Sequence, residues 1–237
     1  MHTDSFSNAR WLQFWANYKG AAHANPQQDA ALIELKAAID QADSSILVES
    51  AGWTTTWRTK PEATSSNPLT VPYFSQLDNA SGEGYRECFS SSCAMLAAFH
   101  GKVSSDDEYN AIRAQYGDST SSEAQLAALR ALGLQADFFT NGAPADLRDQ
   151  IDAGRPVATG WLHKGPVSAP SGGGHWTVVV GYTGSQWIHH DPNGEAALVG
   201  GGYTASTNGE SQHYSFQNWN PRWMPGGTGG WFLSVRP

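Results

Sequence analysis

The hydrophobic pattern of this chain changes period once, near residue 155, and no other feature limits its fold so strongly. Upstream, apolar residues recur at helical spacing. Phe89, Cys93, Leu96, Ala97 and Phe99 fit a buried helix that Gly101 closes. Ser105 and Glu108 read as a capping box opening a helix through Tyr109, Ile112 and Tyr116, which Gly117 ends. Ser122 and Gln125 read as a second box, with Gly133 as the stop, and a short helix is expected from Pro144 to Ala153. Downstream, PVATGWL, HWTVVVGY and QWIHHD are short, β-branched or aromatic, and bounded by Gly, Ser and Pro, which marks strands. Helices followed by an antiparallel sheet make an α+β domain. The Gly-, Asn- and Trp-rich tail from Gly200 is expected to be irregular, with one last strand, GWFLSV.

Ahead of this domain, Trp11, Phe14, Trp15 and Tyr18 recur at helical spacing up to Gly20. Leu32, Leu35 and Ile39 mark one face of a second helix. Segment 44–59 is ambiguous. The Pro-, Ser- and Asn-rich stretch that follows reads as a linker. The organisation expected is a small helical extension over 1–60, a linker over 61–69 and the main domain over 70–237.

Composition narrows the function classes. A net charge of -8 with no basic stripe argues against nucleic acid. No run of about eighteen apolar residues is present, so no membrane span is expected. The N-terminus lacks a basic region followed by an apolar stretch, so synthesis in the cytoplasm without a signal peptide is expected. Two cysteines make no disulfide framework. Five residues of helix rise roughly 7.5 Å, beyond the span of about 4.4–6.8 Å that a Cys88–Cys93 bridge requires.

The two cysteines occupy different settings. Cys88 precedes a strong helix, where the positive end of the macrodipole favours a thiolate. Cys93 lies in the apolar part of that helix and fits the commoner fate of a packed thiol. His175 follows three glycines and opens a core strand. A surface histidine at a loop–strand junction is the plainer reading, but a base belongs at such a place too. Asp191 ends the next strand, before Pro192. If the two strands pair across Gly184 and Ser185, His175 and Asp191 become neighbours, as a base and its orienting carboxylate must be. His189 and His190 raise a zinc alternative, but adjacent strand residues point to opposite faces and ligate one ion poorly. Gln76 reads as a surface residue or as an amide donor to a developing oxyanion. Trp161, Trp176, Trp187, Trp219 and Trp223 are expected in the core more often than along a cleft.

The segments VPYFSQLDN, ECFSSSCAMLAAFHG, GGGHWTVVVGY and HHDPNGE together resemble the peptidase domain of the double-glycine-leader (bacteriocin-processing) type. That type lies within the papain-like clan, and the likeness is to its branch associated with phage and cell walls. It runs over about residues 70–235. It implies a papain-like fold, a nucleophile helix packed on a twisted antiparallel sheet, and a Gln–Cys–His–Asp set: Gln76 for the oxyanion hole, Cys88 as nucleophile, His175 as base and Asp191 as its orienter. Phe89 stands where the family usually has Gly or Asn, and Ala80–Gly84 lengthen the interval before the nucleophile. The implied activity is hydrolysis of peptide amides through a thioester, with no metal or organic cofactor. The expected substrate is a peptidoglycan stem or bridge peptide, reached as by a phage lysin that acts on the wall after release from the cytoplasm. An amide-transfer enzyme, a silent wall-binding module and a structural virion component are the rival classes. No oligomeric state follows from the sequence.

Overall fold

A computed structural model of the chain describes residues 67–237, together with the backbone of two N-terminal strands, β1 (Leu47–Ser50) and β2 (Trp53–Thr56). These two pair antiparallel, Leu47 opposite Thr56. The helices expected before residue 44 lie outside the described residues. The chain divides into two compact units, Met1–Ala63 and Thr64–Pro237.

In the second unit, α1 (Cys88–Phe99) is the central helix, and every residue from Phe89 to Ala97 is buried. A helix buried on all sides belongs in an interior, and the buried hydroxyls of Ser90 and Ser91 are hydrogen-bonded there. Gly101 ends it at φ 66°, donating to Ala98 O, a left-handed stop that glycine adopts without strain. α2 (Asp106–Arg113) opens as the sequence suggests, with the Ser105 hydroxyl accepting from the Glu108 N–H at 3.1 Å. The reciprocal arm shifts by one residue, because Glu108 accepts from the N–H and hydroxyl of Ser104. α3 (Ser122–Ala131) is capped by Ser121, not Ser122. Gln125 therefore lands on the inner face instead of closing a box. It donates to Ser90 Oγ and Ser119 O and accepts from the Tyr109 hydroxyl. α4 (Pro144–Asp152) begins with proline, where the missing N–H costs nothing.

The sheet has six antiparallel strands. Besides β3 (Gln135–Gly142), β4 (Val157–Trp161), β5 (His175–Tyr182) and β6 (Gln186–His190), a short pair β7 (Glu195–Ala196) and β8 (Tyr203–Ala205) stands apart. β9 (Gln212–Ser215) and β10 (Gly230–Arg236) complete the main sheet, whose order is β3-β10-β4-β5-β6-β9. The expected α+β arrangement is thus present, with α1 packed against β4 and β5.

Two expectations are corrected. β3, which precedes α4, is not legible as a strand in the sequence, because it is an edge strand with little burial and pairs only with β10. The tail is not irregular either. It holds β8, β9 and a helix, α5 (Phe216–Trp223), which Ser215 caps from its hydroxyl. Asn and Trp form helices weakly, and Pro221 sits inside this one. Burial of Trp219, Arg222 and Trp223 overrides that propensity. Among the described residues no helix is long and apolar enough to cross a membrane.

Candidate active site

The hairpin of β5 and β6 pairs Val178 with His190, so the start of one strand meets the end of the other. His175 Nε2 lies 2.8 Å from Asp191 Oδ1. Cys88, the first residue of α1, is close enough to the same imidazole to help raise it. The structure therefore brings together three side chains that are 87 and 16 positions apart in the chain (175−88 and 191−175). Both cysteines are free; Cys88 is partly exposed and Cys93 is buried.

The electrostatics of this trio follow from burial and charge. Burial alone pulls the His175 ring down. The Asp191 charge, the hydrogen bond from Asp191 and the neighbouring Cys88 outweigh it and push the ring up to about 10. The imidazolium is thus the favoured form near neutrality. Cys93 is the opposite case, a thiol driven up by burial in the core.

Asp191 has no exposed surface and is satisfied on every side. Oδ1 also accepts from the Asn193 N–H at 3.0 Å, and Oδ2 accepts from the hydroxyls of Tyr214 at 2.8 Å and Tyr203 at 3.2 Å. Its backbone N–H donates to Gly209 O, and its backbone O accepts from the Tyr73 hydroxyl. A Cβ at Gly209 would overlap that carbonyl oxygen, so this close approach requires glycine. Tyr203 and Tyr214 are the functional residues that sequence reasoning misses, because both lie in the tail expected to be irregular. The alternation of Gln212 and Tyr214 in a four-residue strand is the one available signal.

The His175 ring is held from its sides. Trp161 approaches it edge-on at 5.5 Å and Tyr203 does the same at 5.5 Å. The Trp161 indole N–H donates to Thr177 Oγ1, which in turn lies 2.9 Å from His189 Nδ1. His189 thus serves the interior. His190 bonds Val71 O through Nε2 and accepts from the Ser211 N–H at Nδ1. The two histidines have separate partners. Among the described residues no group of three or more His, Cys, Asp or Glu side chains could hold a metal ion.

Gln76 is buried, not at the surface. Its Nε2 donates to Gly84 O at 2.7 Å, and its backbone N–H donates to Pro192 O. It therefore ties the turn leading into Cys88 to the turn leaving Asp191. Its Oε1 finds no hydrogen-bond partner among the described residues. The inserted Ala80–Gly84 loop supplies the carbonyl that engages the amide.

A cleft of about 570 Å³ opens beside Cys88. Trp161, Trp176 and Trp223 line it, Trp161 and Trp223 from positions almost wholly buried in the core, whereas Trp187 and Trp219 are core residues that do not reach it. Over residues 68–221, well above half of the chain, the sequence matches a family model described as the Peptidase_C39 like family. The chain belongs to that family. Membership places it among cysteine peptidases, whose reaction is hydrolysis of peptide bonds. No curated protein matches this C39-like chain. Three solved structures are similar at low identity. A double glycine motif protease from an AMS/PCAT transporter, in complex with its leader peptide, is 17% identical, covers 72% of this chain and 94% of its own, and has a TM-score of 0.48. The peptidase domain of Streptococcus ComA, a bifunctional ABC transporter, is 18% identical over 70% and 97%, with a TM-score of 0.46. A C39-like peptidase from Bacillus anthracis is 15% identical over 71% and 95%, with a TM-score of 0.45.

Proposed function

We propose that this chain is a thiol hydrolase of peptide amides, with Cys88 as nucleophile, His175 as base and then acid, and Asp191 as the group that orients the ring. The observation that carries this reading is the buried 2.8 Å contact between His175 Nε2 and Asp191 Oδ1, with Cys88 beside the same ring and lining a cleft.

Because Asp191 occupies Nε2, the Cys88 proton moves to Nδ1. The thiolate attacks the amide carbonyl carbon, a C–S bond forms, and the carbonyl π pair moves to oxygen. Collapse of that adduct expels the amine, which takes the proton from Nδ1, and leaves a thioester. Water then adds to the thioester carbon while His175 accepts its proton. The C–S bond breaks and the thiolate is restored. The net change is amide plus water to acid plus amine. The oxyanion needs donors. The Cys88 N–H, at the first helical position, has no intrahelical acceptor, and an amide nitrogen offers two hydrogens, of which Gly84 O takes one from Gln76.

Purified protein incubated with linear peptides and with defined muropeptides, followed by mass, tests the reading. Cys88-dependent cleavage of either set supports it, and identical products from wild type and Cys88→Ala remove it. The muropeptide arm decides the peptidoglycan proposal: cleavage there makes the chain a cell-wall hydrolase, and cleavage of linear peptides alone makes it an endopeptidase of ordinary chains.

A further inference from the structure

The cleft beside Cys88 has an unusual wall. Phe89, the residue after the nucleophile, stacks face to face on Trp176, with centroids 3.7 Å apart and planes 6° apart. Phe138 leans on both rings, at 6.4 Å from Phe89 and 5.8 Å from Trp176. Trp231 meets Phe138 edge-on at 6.0 Å and keeps 52% of its surface exposed, so the aromatic wall runs out to the rim. Trp161 and Trp223 face the same space. Behind Trp176, a Cβ at Gly160 would come within 2.8 Å of its ring, so glycine there lets the indole lie where it does. At the mouth, Gly173 and Gly174 present no side chain, and a Cβ at either would meet nothing within 4 Å.

Among the described residues the cleft also lacks a free charge. Apart from Cys88, the one ionisable residue among those lining it is Arg222. Its guanidinium donates to Leu198 O at 2.7 Å, Leu162 O at 3.0 Å, Lys164 O at 3.2 Å and Gly165 O at 2.8 Å, and the residue is fully buried. That cation is spent on backbone carbonyls and holds the loop beside the cleft. A charged substrate side chain entering here would lose its water and find no partner. A glycine would leave the open faces of Phe138, Trp176 and Trp231 wetted, with nothing gained from them.

We propose that this cleft is a specificity subsite for one bulky apolar side chain, aromatic or branched aliphatic, on a residue adjoining the scissile amide. The inference rests on the hydrolase reading for the word scissile, but the preference for that side chain follows from the walls alone. Phe89 is the residue that makes it, since Gly or Asn at that position would remove the ring on which Trp176 stacks.

The test uses the full chain carrying Cys88→Ala, which cannot turn peptide over. Its binding to end-blocked hexapeptides is read by quenching of the cleft tryptophans. The peptides are identical except that one position at a time carries Phe, Leu, Gly, Glu or Lys. At one position the Phe and Leu peptides are expected to bind about 10- to 100-fold more tightly than the Gly, Glu and Lys peptides. A second substitution at the rim, Trp231→Ala, is expected to cut that ratio at least threefold; as a ratio it is insensitive to a general loss of folded protein. Equal binding of the Gly series at every position, tighter binding of a charged series, absence of binding, or a ratio untouched by Trp231→Ala each overturn the proposal. Cleavage by the unsubstituted chain, run on the same peptides, separates the two readings. Cys88-dependent cleavage without apolar preference sinks the subsite and leaves the hydrolase standing. Apolar preference in binding without Cys88-dependent cleavage does the reverse.

Discussion

Replacing Asp191 by asparagine isolates the charge that sets the state of the His175 ring. The folded ring sits at about 10 against an ordinary 6.5. At 1.36 kcal/mol per unit, that difference of about 3.5 units is on the order of 5 kcal/mol in favour of the imidazolium. Burial opposes it and is the largest single influence; the Asp191 charge and hydrogen bond come next, and Cys88 adds less. In Asp191→Asn the charge is gone, burial faces only the pull of Cys88, and the ring falls from about 10. The imidazolium fraction at alkaline pH falls with it, about tenfold for each pH unit once the ring lies below the assay pH. The assay is the rate of iodoacetamide alkylation of Cys88 from pH 5 to 11, followed by mass. Wild type is expected to show its alkaline change near pH 10, and the variant to show it at clearly lower pH. Stability gives a second reading. Because the folded value lies above the unfolded one, the His175 contribution is fully present below pH 6.5 and is lost as pH rises through about 10. Wild type therefore loses stability over that range, and the variant loses less across it. An alkaline limb that stays near pH 10 in the variant would refute the charge argument.

Other perturbations follow from the same cage. Tyr214→Phe removes a 2.8 Å donor to Asp191 Oδ2 and leaves that buried oxygen only the longer bond from Tyr203; the expected cost is about 1.5–3 kcal/mol in urea unfolding, with the alkaline limb of Cys88 alkylation moved upward as the less solvated carboxylate draws harder on the ring. Gly209→Ala forces a methyl group into the Asp191 backbone carbonyl, and is expected to lower alkylation at Cys88 more than fivefold while the native near-ultraviolet circular dichroism persists. In acid, His163 is held down to about 4 and His189 well below its ordinary value, each chiefly by burial. Folded values below the unfolded 6.5 give stability that is present above pH 6.5 and lost as pH falls through about 4. Thermal melts from pH 7 to 4 are expected to show that loss, and His163→Gln to reduce it.

The parts of the fold that are legible in the sequence are those where one local signal governs. α1 is an apolar run ended by a left-handed glycine, and β5 and β6 are apolar runs joined by a tight turn. From the hairpin alone His175 and Asp191 converge, because a two-stranded antiparallel turn brings its outer ends together; Cys88 joins them only once α1 packs on the sheet. What is not legible depends on partners distant in the chain. β3 and β9 are edge strands whose only reason to be extended is the strand beside them. α5 is composed of poor helix formers and exists because Trp219 and Trp223 bury against the sheet while Arg222 finds four carbonyls. Gln76 reads as a surface amide in the sequence because the carbonyl that holds it, at Gly84, lies in the insertion.

The tail belongs to the chemistry for a physical reason. A buried carboxylate that must stay fixed needs donors on both oxygens, or one of them is left unsatisfied out of reach of water. The β5–β6 hairpin supplies the ring and one turn N–H, both directed at Oδ1. Oδ2 is left to the tail, and Tyr203 and Tyr214 arrive there from β8 and β9. A phenol is well suited to this position. Its hydroxyl donates, its ring fills the space that water would enter, and burial drives both phenols far from ionisation. The same segment carries Arg222, which shapes the loop beside the cleft, and Trp231, which forms the rim. A chain ending after β6 would still contain the sulfur, the imidazole and the carboxylate. It would lack the two hydroxyls that hold Oδ2 of that carboxylate and part of the wall of the cleft, so residues after 200 are as necessary to the site as the trio itself.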